Sequence, residues 1–166
     1  MDISTLKPAE LLALHSRIGA ELQSRGITRT CNNPTGDLAE YLFCKAFGWV
    51  QSSNSHPNTD AIAADGKRYQ IKARRITKNK SRQLSAIRDL NGAHFDFLAG
   101  VLFAEDYSVM RAAIIPYSVA VERATYVEHT NSHKFILRDD VWEAQGVRDV
   151  TAELQAVDLL SASNQK

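Results

Sequence analysis

DAIAADGKRYQIKARR, residues 60–75, reads as two short strands around a tight turn. Asp65-Gly66 is a two-residue hairpin signal, because a type I′ turn needs positive φ at both central positions. Beyond it the residues alternate. Arg68, Gln70, Lys72 and Arg74 point one way and Tyr69, Ile71 and Ala73 the other. One face of the second strand is therefore polar, in a chain that is 44% hydrophobic. Gln70 and Lys72 share that face, and Asp60 lies on the partner strand across the turn. If the strands pair, all three approach one region.

The surrounding sequence frames this hairpin with helices and strands. Upstream, KPAELLALHSRIGAELQSRG is an amphipathic helix with Leu11, Leu14, Ile18 and Leu22 on one stripe, Pro8 in its first turn and Gly26 at its end. After the loop ITRTCNNPT, GDLAEYLFCKAFG gives a second helix whose core face carries Leu38, Leu42 and Phe47. QSSNSHPNTD is a polar loop into the hairpin. Downstream, RQLSAIRDLNG is a short helix or an ordered loop. HFDFLAGVLF and SVMRAAIIP are buried strands around the turn AEDY. Pro116 opens a helix through YSVAVERA. HKFILR is one more short strand, DDVWEAQ and DVTAELQAV are short terminal helices, and SASNQK frays. This order predicts an α/β (α+β) domain with a central mixed sheet of about four or five strands flanked by helices. A single domain is expected over 1–166, with an N-terminal helix in 1–30, a core over 36–116, and C-terminal helices with a short strand over 117–160.

Composition narrows the partners. The 166 residues carry 23% charged side chains and a net charge of +1. No apolar run reaches the roughly 18 residues of a membrane span, so no membrane partner is expected. The N-terminus lacks the pattern of a secretory signal, and the two cysteines, Cys31 and Cys44, form no CxxC motif. A reduced, cytoplasmic protein is expected. The charge is unevenly spread. Residues 66–88 hold nine Lys and Arg and no Asp or Glu, which leaves eleven basic and nineteen acidic residues elsewhere. Within that run Arg68, Arg74, Arg75, Lys78, Lys80 and Arg82 are candidates to hold a nucleic-acid backbone.

The hairpin trio suits metal chemistry. A carboxylate and an amide carbonyl are oxygen ligands for a hard cation such as Mg²⁺ (or Mn²⁺). A neighbouring lysine orients water or stabilises charge developing on a phosphate. One carboxylate is thin for Mg²⁺, and the preceding helix offers a second: Glu40 is favoured, with Asp37 the poorer candidate. Among other residues, His129 and His133 have the spacing of a helical zinc pair, but Thr130, Asn131 and Ser132 favour a turn. Trp49 and Trp142 read as packing residues. No GxSxG, P-loop or GxGxxG is present.

A helix acid, then Asp, then a hairpin ending in an acid or glutamine, any residue and Lys resembles the PD-(D/E)xK nuclease superfamily and its restriction-endonuclease-like fold. Glu40 in GDLAEYLF, Asp60 in NTDAIAADG, and Gln70 with Lys72 in YQIKAR carry the likeness. The Gln-x-Lys form is similar to Mrr-type restriction endonucleases. The likeness is close over residues 36–75, and later strands match in order alone. The whole chain also resembles a family of uncharacterised bacterial proteins, which carries no function over. The superfamily likeness implies Mg²⁺-dependent hydrolysis of phosphodiester bonds in DNA, of restriction or genome-defence type. Asp60 would be the central metal ligand, and Glu40 a further ligand, direct or through water. Gln70 would stand at the second acid position, the carbonyl of Ile71 would reach the metal, and Lys72 would orient the attacking water. A homodimer is implied by analogy. Two positions depart: Thr59 stands where a proline often precedes the aspartate, and Gln70 removes one negative charge. Two alternatives stay open, a catalytically silent nucleic-acid-binding module on the same fold and a subunit whose basic surface meets an acidic protein. The residues do not separate DNA from RNA.

Overall fold

The computed structural model describes residues 2–52, 58–157 and 159. Residues 53–57 of the polar loop read at 51–60, and the tail read at 161–166, lie outside those residues. The strand with alternating polar and apolar residues is β3, Arg68–Arg75, and it lies near the middle of a six-stranded sheet. In chain order the elements are α1 (Pro8–Ser24), α2 (Thr35–Phe47), β1 (Val50–Gln51), β2 (Ala61–Ile62), β3, β4 (Phe97–Phe103), β5 (Val109–Pro116), α3 (Tyr117–Arg123), β6 (Thr125–Val127), β7 (Ser132–Lys134), β8 (Arg148–Asp149) and α4 (Thr151–Gln155). The sheet runs β1-β2-β3-β4-β5-β8, with β6 and β7 forming a separate ribbon. Only β3 and β4 pair in parallel; the other neighbours are antiparallel. The fold is thus mixed α/β. The two additions to the expected strand count are edge strands of two residues each.

Both faces of the sheet are covered, which explains the near-continuous apolar runs of β4 and β5. On one face Tyr69, Ile71, Ala73, Ala99, Val101 and Ile114 join a buried cluster with Leu38, Ala39, Leu42 and Phe43 of α2 and Leu154 of α4. On the other, Leu98, Leu102, Ala113 and Ile115 pack with Leu84, Ile87, Leu90, Phe135 and Leu137. The second layer is mostly irregular chain. RQLSAIRDLNG is an ordered loop ending in a 3-10 turn at Leu90–Gly92, stitched to the ribbon by single bridges Gln83↔Ile136 and Ile87↔His133. Gly100 lies under this layer. A Cβ there would meet Leu84 Cδ1 at 3.1 Å and Leu137 Cδ2 at 3.3 Å. Gly100→Val is therefore expected to overpack the face and cost about 1–3 kcal/mol, read as a lower midpoint in denaturant unfolding.

Four sequence expectations are corrected. The turn of the hairpin is not type I′. Gly66 has φ 82°, but Asp65 is not among the positive-φ residues, Gly66 N–H donates to Ala63 O, and Ala63 N–H to Lys67 O. This is the three-residue loop in which a type I turn is followed by a left-handed glycine. The stripe of α1 is not core: Leu11, Leu12 and Ile18 are exposed, and Leu22 near the C-terminal end is what packs on the cluster. DDVWEAQ forms a 3-10 turn at Asp139–Glu143 instead of an α-helix, and HKFILR keeps strand geometry only through Lys134. Among the described residues no helix is long and apolar enough to cross a membrane.

Candidate metal and nucleic-acid site

Asp60 sits just before the two-residue strand β2, where the hairpin opens. Its N–H donates to Tyr69 O and its carbonyl accepts from Ser52 N–H, both at 2.8 Å. Its carboxylate turns along the edge of β3: Oδ2 accepts the Ile71 N–H at 2.7 Å. The side chain thus replaces the backbone partner that a longer β2 would have supplied. In a strand the N–H and C=O of one residue face the same edge. The Ile71 carbonyl therefore faces the Asp60 side and not β4. Oδ1 of Asp60 has no hydrogen-bond partner among the described residues.

Gln70 and Lys72 lie on the face opposite α2, level with Leu98 and Gly100 of β4. This polar face is not a solvated one. Gln70 is 2% exposed, and its Oε1 is buried with no hydrogen-bond partner among the described residues. Such a group costs about 1–3 kcal/mol if nothing satisfies it. Lys72 is half-buried and makes no ion pair among the described residues.

Glu40 projects from α2 on the other side of the sheet plane. Its Oε2 accepts from Arg29 Nη2 at 2.5 Å and Gln51 Nε2 at 2.6 Å. Burial pushes its carboxyl above the usual carboxylate range and the nearby Asp60 charge adds to the rise, while the Gln51 hydrogen bond and Arg29 oppose it. One turn on, the Cys44 thiol is pushed up to about 11, by burial first and then by the Glu40 charge. The Asp60 charge therefore reaches the Glu40 carboxyl. Asp37 serves the loop instead. Its Oδ2 accepts the N–H groups of Arg29 and Thr30, each at 2.9 Å. That role favours Glu40 over Asp37 as the second acid.

The Asp60 carboxylate on the Ile71 N–H and the Ile71 carbonyl thus share one edge of β3, the Gln70 carbonyl lies on the face opposite α2, and Glu40 projects from α2 on the other side of the sheet. Among the described residues no three His, Cys, Asp or Glu are grouped to hold a metal. The donor set is two carboxylates with neutral oxygens, and the orphaned Gln70 oxygen fits a hard, oxygen-seeking cation. No family model and no curated protein matches the chain.

The raised Glu40 titration gives a test. A carboxyl whose folded pKa is raised holds its proton more tightly folded than unfolded. Its contribution is favourable at low pH and is lost as pH rises through the folded midpoint. Asp60→Asn removes a negative charge and is expected to move the Glu40 midpoint down, as followed by NMR of the Glu40 carboxyl.

The basic run is less free than its sequence suggests. Arg68 is forked onto Asp96, with Nη2 to Oδ1 at 3.0 Å and Nε to Oδ2 at 3.2 Å. Arg82 pairs with Asp139 at 2.9 Å. The Arg75 guanidinium lies 4.7 Å from the Tyr107 ring centroid, and Arg74 Nε is buried without a partner. Lys78 and Lys80 are exposed, with no ion pair among the described residues. The pairs of Arg68 and Arg82 are with acids distant in sequence and partly exposed, so a phosphate could displace them at small cost.

Sequence reasoning missed three contributors. Arg29, read only as loop, and Gln51 hold Glu40. Thr59 is buried, and its hydroxyl donates to His94 O at 2.7 Å; a proline there could not make this tie. His129 and His133 do not share a helix: one is in a 3-10 turn, the other on β7. Trp49 is core, stacked on Tyr69 with centroids 3.7 Å apart. Trp142 packs beneath Arg111 at 3.6 Å.

Proposed function

We propose that the protein is a cytoplasmic Mg²⁺- or Mn²⁺-dependent endonuclease of the PD-(D/E)xK kind, cutting phosphodiester bonds of DNA in restriction or genome defence. One observation carries the reading: the Asp60 carboxylate is fixed on the Ile71 N–H, and the preceding residue in the chain, Gln70, has a buried side-chain carbonyl with no partner among the described residues. Asp60 Oδ1, Gln70 Oε1 and the Ile71 carbonyl would hold the cation, with Glu40 direct or through water. The bound cation would supply Lewis-acid activation of water and phosphate. Lys72, on the face shared with Gln70, orients the attacking water and offsets charge on the phosphate. Arg74, Arg75, Lys78 and Lys80 hold the flanking backbone, joined by Arg68 and Arg82 on release from their acids. Cutting both strands takes two such sites, so a homodimer belongs to the proposal.

The test is incubation of plasmid and single-stranded DNA with Mg²⁺ or Mn²⁺, beside binding measured across a salt series. Metal-dependent cutting and a steep fall of affinity with salt are expected. The presence of only two carboxylates favours one second reading, a silent binding module on the same fold. Salt-sensitive binding with no cutting under either metal would select it.

A further inference from the structure

A cavity of about 340 Å³ opens between the Leu90–Gly92 turn and the β6–β7 ribbon. It is lined by Asp89, Leu90, Asn91, Tyr126, Asn131 and His133. We propose that it receives one unstacked nucleobase with an exocyclic amino group, beside the strand cut at Asp60. The inference rests on the nuclease reading for its biological use but not for its chemistry.

The lining suits an uncharged aromatic ring. Tyr126 is 55% exposed, an unusual position for a large ring, and tilts at 56° to the His133 ring with centroids 5.2 Å apart. A tyrosine at the mouth of a polar cavity is a stacking platform for a base. No Lys or Arg lines the cavity and Asp89 contributes negative charge, so phosphate is disfavoured. The polar atoms are partly committed. Tyr126 donates its hydroxyl to Asn131 Oδ1 at 3.1 Å, leaving the Asn131 amide N–H groups to donate. Asp89 Oδ2 is bonded to His94 Nε2 at 2.5 Å, leaving Oδ1 to accept. His133 Nδ1 is buried with no hydrogen-bond partner among the described residues. A free carboxylate oxygen beside amide donors matches an amino-bearing base edge and mismatches thymine.

The cavity is also held in shape and tied to the proposed cutting site. Asp89 (φ 47°) and Asn131 (φ 43°) in its walls are non-glycine residues in the left-handed region. Such conformations persist where the surroundings enforce them. His94 joins the two sites, as its ring holds Asp89 and its carbonyl accepts the hydroxyl of Thr59, the residue before Asp60.

Binding in EDTA of oligo(dC) and oligo(dT) of equal length tests this apart from cleavage. Oligo(dC) is expected to bind about fivefold or more tighter. Tyr126→Ala, at an exposed position, should weaken oligo(dC) binding about fivefold or more without changing the salt slope. Asp89→Asn keeps an acceptor for His94 and should erase the preference for dC. Free cytidine should shift the Tyr126 and His133 ring resonances, a readout that needs neither long DNA nor a metal. Equal binding of the two oligonucleotides, parent-like binding by Tyr126→Ala, or no cytidine shift would each overturn the proposal. Metal-dependent cutting alongside such failures would leave the nuclease reading standing. Base binding without any cutting would retain the cavity and sink the nuclease.

Discussion

Asp60→Asn is expected to reduce metal-dependent cleavage by roughly a thousandfold while the fold stays intact. Asparagine keeps an oxygen that can accept the Ile71 N–H, so the edge of β3 remains closed. What it removes is the charge. With one of two carboxylates gone, the remaining donors are a half-committed Glu40 and neutral oxygens, a poor set for a hard divalent cation. Removing a single group that stabilises transition-state charge costs about 10²–10³ in rate, and loss of the central metal ligand belongs at or beyond the upper end. Lys72→Ala should lose about a hundredfold by the same reasoning, with DNA binding less affected. Lys72→Arg should not rescue it, because a planar guanidinium replaces a compact, rotatable ammonium. Cleavage by Asp60→Asn at the parent rate, with a parent-like melting curve, would place the chemistry elsewhere or nowhere.

Gln70 should behave as a residue kept for function at the expense of stability. Its carbonyl is buried and unpartnered, which folding alone does not favour. Gln70→Met removes the stranded acceptor at similar volume. It is expected to raise stability by about 1 kcal/mol, since burying an unsatisfied polar group costs about 1–3 kcal/mol, and to lower cleavage about a hundredfold. Gln70→Glu restores an acid but buries an unpaired charge. Without metal it should destabilise by about 3 kcal/mol, and Mg²⁺ should return most of that, because a ligand that binds only the folded state adds stability by mass action. Urea unfolding with and without Mg²⁺ reads both effects. A destabilised Gln70→Met together with a Mg²⁺-insensitive Gln70→Glu would make the amide a packing group.

The residues most legible in the sequence were those whose environment repeats with the period of their element. Alternation placed Gln70 with Lys72 and Ile71 on the opposite face, which packs on α2, and the apolar runs of β4 and β5 marked buried strands, which are covered on both sides. Single contacts between distant segments carry no period. Nothing near Arg68 or Arg82 foretold Asp96 and Asp139, and nothing near Glu40 foretold Arg29 and Gln51. The layer on that side of the sheet is made of bridges and turns, which carry no period, so the burial of Gln70 on a polar strand face was not legible. The α1 stripe misled in the opposite sense: its period is genuine, but only its C-terminal end reaches the core.

The short outer strands bear on how copies of this chain meet. At each flank the backbone groups that would otherwise stand in a free row are capped by side chains. On β5 the Ala112 N–H donates to the Thr151 hydroxyl, Ala112 O accepts from Val150 N–H and the Trp142 indole, and Val109 O accepts from Gln155. On β3 the cap is Asp60 itself. A template for self-propagating, amyloid-like strand addition is missing at these positions. The carboxylate assigned to catalysis is, in the same position, a guard against lateral growth of the sheet.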